Sequence, residues 1–147
     1  MQHNVYKDLY IKENYSVFEF FSVGKRGVIA KRIVFEPTDY HDVYNLIFGD
    51  IDINNEIDDY NISDNGDRNK VLATLTHAID MYLNTYPERI IFFSGSTAGR
   101  TRLYRMAINL NLEYLSEKFE IYCQVDNRIT MFEKNIEVKG FLIRKKT

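Results

Sequence analysis

The chain has 147 residues, of which 45% are hydrophobic and 27% charged; this is the size and balance of a single globular domain, 1–147, with enough apolar residues to exclude wholesale disorder. One cysteine, Cys123, excludes an internal disulfide and a Cys-rich zinc site. Nineteen Lys and Arg against 21 Asp and Glu give a formal charge of −2, which excludes the net basic footprint of a nucleic-acid binder.

No apolar run approaches the ~20 residues of a membrane span, and Met1–Ser16 carries no apolar signal-peptide region. A cytoplasmic address is the expectation.

Residues 16–23 (SVFEFFSV) read as a strand, Gly24 to Gly27 as a turn, and 28–35 as a second strand, which together make a hairpin. Pro37 follows and should end it, because proline cannot donate to a sheet ladder. Residues 43–48 (VYNLIF) continue the meander. Gly49 then opens a polar segment to Gly66. It carries Asp50, Asp52, Glu56, Asp58, Asp59 and Asp64 with no Lys or Arg. A loop of this length in a compact domain is often functional.

The clearest helix is 67–86. Val71, Leu72, Leu75, Ala78, Ile79, Tyr82 and Leu83 make one apolar stripe. Asn65 or Asp67 is placed to cap its start, and Pro87 lies past its end. Residues 89–93 (RIIFF) have the pattern of a buried central strand, so strand–helix–strand here fits a parallel crossover. A small-residue loop, Ser94 to Gly99, leads into a second helix over 99–115, with Arg100, Arg102 and Arg105 largely off its apolar stripe. Strands at 119–125, 129–132 and 138–143 complete the chain. The fold class is α+β, with a mixed, largely antiparallel sheet and two main helices.

Two segments carry chemistry. In SGSTAGRTRLYR (Ser94–Arg105) a strand runs through a small-residue loop into a helix, an arrangement whose backbone N–H groups bind anions. A cation at that position is electrostatically misplaced. Arg100 and Arg102 should therefore meet an anion, either a ligand or a carboxylate from the acidic segment. Ser96 and Thr97 are candidate anion-binding or capping residues. Arg100 and Tyr104, spaced i, i+4, share a helix face. The segment has neither the Walker spacing nor the GxSxG elbow.

The second segment is Phe48–Asp50 with Asp58–Asp67. Its acids do not match an EF-hand, so no metal is assigned. Asp50, Asp58 and Asp59 are candidate partners for the arginines. The three histidines, His3, His41 and His77, form no ligand or triad pattern.

YNLIFGD (Tyr44–Asp50), DNGDRNKVLATL (Asp64–Leu75) and GSTAGRTRLYRM (Gly95–Met106) resemble the signature blocks of an uncharacterised family of small bacterial proteins, a domain of unknown function. The order of elements is also similar to the GNAT acetyltransferase superfamily. That resemblance implies a splayed strand at 43–48, a pyrophosphate helix at 67–86 and the family's helical tyrosine at Tyr104. The family's [QR]xxGx[GA] loop is replaced here by Ser63–Asn69, which puts Asp64 and Asp67 where phosphates would lie. Weak or no binding of acetyl-CoA is the expectation.

Two functional readings follow. One is a group-transfer enzyme in which Arg100 and Arg102 hold an anionic small molecule and Tyr104 is the catalytic acid. The other is a non-catalytic interaction or regulatory module with a protein partner. The residues name no cofactor.

Overall fold

The computed structural model describes residues 4–58, 63–134 and 136–147. Among them are nine strands and three helices, in the order β1 (Tyr10–Lys12), β2 (Val17–Gly24), β3 (Gly27–Pro37), β4 (Val43–Ile51), β5 (Ile57–Asp58), α1 (Arg68–Thr85), β6 (Ile90–Phe93), α2 (Ala98–Leu110), α3 (Leu112–Lys118), β7 (Phe119–Val125), β8 (Arg128–Met131) and β9 (Gly140–Lys145). All the strands belong to one sheet, ordered β1-β2-β3-β4-β6-β9-β7-β8, with β5 paired to β4 beside that path.

Each pairing is antiparallel except β4 with β6. The α+β class read from the sequence is therefore observed, as is the parallel pair linked through α1. Because β6 and β7 both run antiparallel to β9, α2 and α3 make a second parallel connection that passes over one strand.

One sheet face carries the core. Phe18, Phe20, Ile33, Phe35, Leu46, Phe48, Ile91, Phe93, Phe141 and Ile143 alternate inward along their strands. Helix α1 meets this face with Leu72, Leu75, Ile79 and Tyr82, all buried. The Tyr82 ring stacks on Phe35 at 3.9 Å between centroids, while Tyr104 of α2 meets Phe93 edge-on at 5.4 Å.

Several details differ from the sequence reading, each for a local reason. The second helix breaks at Asn111, whose buried amide donates to the Ala107 carbonyl (3.2 Å) and to Thr76 of α1 (3.4 Å). β4 continues through Gly49 to Ile51 instead of opening into a loop at Gly49, because β3 on one side and β5 on the other still pair with it there.

The pair expected to cap α1 is used otherwise. Asp67 holds the N-cap position without a side-chain bond to the helix; its Oδ2 accepts from Ser22 Oγ at 2.6 Å and from the Tyr6 hydroxyl. Asn65, 3% exposed, clamps the β2–β3 turn: Oδ1 accepts from Arg26 N (2.6 Å), and Nδ2 donates to the Gly27 carbonyl (3.0 Å).

Helix α3 is tied to α1 through Asp80, 6% exposed. Its carboxylate accepts from the Tyr114 hydroxyl (2.5 Å) and from Lys118 Nζ (2.8 Å). Those bonds to Asp80 raise both partners above their ordinary values. Each holds its proton to higher pH folded than unfolded, so the stabilisation is complete below about pH 10 and fades as pH rises through the folded values. Unfolding followed by circular dichroism should show a loss of stability above about pH 10 that Asp80→Asn flattens. Leu75→Ala should lower unfolding stability by about 2–5 kcal/mol in a denaturant titration, since Leu75 is 1% exposed in the middle of the α1–sheet contact.

Candidate functional site

The site grows from an interruption in the sheet. β3 pairs with β4 continuously from Tyr44 to Asp50. On its other edge β4 is met by β6 only at Val43–Asn45 and by β5 only at Asp50 and Ile51. Among the described residues, no strand pairs with Leu46 to Gly49 on that edge. The close approach of β5 explains Gly49, where a Cβ would lie 2.2 Å from the Asp58 carbonyl oxygen.

Arg100 fills part of this gap. It is 3% exposed, and its Nη2 donates to the Phe48 carbonyl. The guanidinium carbon lies 5.6 Å from the Phe48 ring centroid and 5.9 Å from that of Tyr104. Arg100 therefore sits on the buried side of α2, not off the apolar stripe as its neighbours suggested. A buried backbone carbonyl needs a donor, and a charged donor makes one of the stronger hydrogen bonds.

Beside Arg100 the gap opens as a slot of about 220 Å³ lined by Asn45, Leu46, Ile47, Ser94, Gly95, Ser96 and Tyr104. Tyr104 is 2% exposed and forms part of the wall. The Gly95–Ser96 turn also borders a larger outer cleft of about 570 Å³, which includes Thr97, Arg102, Arg105, Glu137 and Lys139.

Gly95 is required by this geometry: a Cβ there would come within 2.3 Å of Arg100 Cβ and of the Thr101 amide nitrogen. Thr97 caps α2, its hydroxyl accepting from Arg100 N at 3.2 Å. Arg105 Nη1 donates to the Ile136 carbonyl at 3.0 Å.

The candidate residues thus fall into separate groups. Arg100 and Tyr104 share the inner face of α2. Arg102 is exposed on the outer face with Arg105, and Ser96 stands between the slot and the cleft. Asp50 pairs with Lys31 at 2.6 Å, Asp58 lies opposite Asp50 in β5, and Asp59 is outside the described residues.

Lys31 escaped the sequence reading. It is 6% exposed, donates also to Ser63 Oγ at 2.9 Å, and lines a cavity of about 110 Å³ between β4 and the start of α1, together with Arg100, Asp64 and Arg68. Its parity with Ile33 and Phe35 along β3 was the available signal. Among the described residues, no three His, Cys, Asp or Glu side chains gather as a metal set.

The model of DUF6934, a family of unknown function, matches residues 2–146, so the chain belongs to that family. No curated protein and no solved structure matches it. No helix among the described residues is long and apolar enough to cross a membrane.

Arg100→Ala should remove a hydrogen bond to a buried carbonyl and leave a void in the gap. Denaturant unfolding should register a loss of about 2–5 kcal/mol, whereas Arg102→Ala, exposed and without an ion pair among the described residues, should change stability by less than about 0.5 kcal/mol.

Proposed function

We propose that this member of DUF6934 is a divergent group-transfer enzyme of GNAT-like architecture, acting on an anionic small molecule. The observation that carries this reading is the slot where β4 and β6 part, with Tyr104 in its wall. Among the described residues, the parallel pair opens beyond three residues and leaves strand edges beside the slot for an extended ligand. The slot is small and mostly polar, so Asn45, Ser94 and Ser96 offer a ligand hydrogen-bonding groups more than apolar surface.

The roles follow from position. Asn45, Leu46 and Ile47 on one side and Ser94 to Ser96 on the other hold the transferred group. The Tyr104 hydroxyl protonates the leaving atom as its bond to the transferred group breaks, while the acceptor molecule's nucleophile bonds to that group and its proton returns to the Tyr104 oxygen. Arg100 lines the neighbouring cavity with Lys31 and holds α2 to the sheet through its bond to the Phe48 carbonyl. Burial of Tyr104 keeps water from the reacting centre.

Acetyl-CoA itself is a poor fit for this reading. The start of α1 is occupied by the hairpin clamp of Asn65 and by Asp67, which already bonds Ser22 and Tyr6. Nearby Asp64 is a second carboxylate, and two carboxylates repel a pyrophosphate by roughly 1 kcal/mol or more per close pair. The same filling favours the alternative, a non-catalytic interaction module. A cluster of exposed Phe21, Val23 and Val28 at the β2–β3 hairpin supplies apolar surface for that reading.

Thermal melting against coenzyme A, nucleotides and phosphorylated small molecules, followed by transfer assays with any ligand that stabilises, tests the proposal. A ligand at a hundred times its Kd should add about 2.7 kcal/mol, and acetyl-CoA should add little. Tyr104→Phe should keep the fold and the ligand-induced shift while lowering transfer by about 10²–10⁴-fold. Transfer unchanged in Tyr104→Phe would remove the tyrosine from the mechanism. Absence of any stabilising ligand would favour the interaction module.

A further inference from the structure

We infer that the outer cleft is a recognition site for a phosphate group, so that the ligand of the slot is a phosphorylated small molecule whose anionic end rests on Arg102, Arg105 and Lys139. The inference names the ligand class for the site proposed above and rests on that reading.

Three cations from two segments line the cleft, and Glu137 is the one acid among its lining residues. Their formal sum is therefore two positive charges. Among the described residues none of the three cations forms an ion pair. Arg102 and Lys139 are exposed, while Arg105 is steadied by its bond to the Ile136 carbonyl.

The surroundings add to this field. α2 has no acidic residue in its first turn, so its positive end is not offset there. Like charges gathered in a concave surface repel one another and concentrate a positive potential. A carboxylate ligand carries one negative charge and would neutralise half the excess. A phosphate monoester carries about −1.5 to −2 at neutral pH and matches it. Arginine is also the side chain suited to phosphate, offering paired donors in a fixed plane.

The position suits a ligand that spans both cavities. Gly95 and Ser96 belong to the wall of the cleft and to the wall of the slot. A molecule anchored by phosphate in the cleft can pass this small-residue turn and place its other end beside Tyr104. At the α1 N-terminus Asp64 and Asp67 offset Arg68 and Lys70 of the adjoining cleft, so that end does not offer an equivalent anchor.

Calorimetric titration of the full chain with inorganic phosphate, at ionic strength held constant with sodium chloride, tests the inference. Saturable binding is expected, weakened at least about tenfold by Arg102→Ala and by Lys139→Ala, and unaffected by Arg128→Ala on the exposed β8 strand. No binding by the parent chain, or equal binding by Arg102→Ala and Lys139→Ala, would overturn the inference even if transfer activity were found. Binding that follows the expected pattern, in a protein that transfers nothing, would keep the phosphate site and reject the enzyme.

Discussion

The bond from the Arg100 guanidinium to the Phe48 carbonyl is the interaction on which the candidate site depends. β4 is a shared strand: among the described residues, β3 takes one edge, while β6 and β5 take only the two ends of the other. A strand left between two partners has carbonyls that neither satisfies, and burial makes such groups costly. Arg100 meets this need from α2. In doing so it fixes the first turn of α2 against the sheet and draws the chain so close that only glycine fits at position 95. Among the described residues, the slot lies in the gap next to the Gly95–Ser96 turn, and the cleft is the other side of the same turn.

This arrangement gives two arginines two residues apart different work. Successive helical residues are rotated by about 100°, so Arg100 and Arg102 face nearly opposite ways. One is enclosed by Phe48 and Tyr104; the other lies in an open cleft with Arg105 and Lys139. The inner arginine bears on stability and the outer one on charge. Removal of either therefore reports on a different property of the same helix.

The fold was largely legible because its strongest signals are periodic. The stripe from Val71 to Leu83 packs as read, and the β4–α1–β6 crossover follows from a nearly all-apolar strand after that helix. β1 was not legible: three exposed residues carry no alternation to detect. Nor was the break at Asn111, which depends on Thr76 across the interface. Within the candidate site, the i, i+4 spacing put Arg100 and Tyr104 on one helix face, which the structure shows to be the buried one. The burial of Arg100 depends on a carbonyl 52 positions away, and no local pattern encodes that. Lys31 was legible in principle, since the alternation of KRIVF places it with Ile33 and Phe35; its charge masked the pattern.

The two long helices begin at the same end of the sheet, because the parallel strands β4 and β6 each lead toward one of them. Their N-termini nevertheless meet different surroundings. The start of α1 is closed by Asn65 and Asp67 bonding into the β2–β3 hairpin and its neighbours, with Asp64 alongside. The start of α2 opens on basic side chains. Helix ends of the same polarity would otherwise compete for one anion. Asp64 and Asp67 offset Arg68 and Lys70 at the first, while cations outnumber acids beside the second, which makes the potential uneven across this end of the molecule. The negatively charged ligand proposed here is thereby directed toward α2, and the Gly95–Ser96 turn that precedes this helix borders the slot at Tyr104. The charge distribution and the break in the strand ladder thus point to the same small region, although they arise from different residues and different forces.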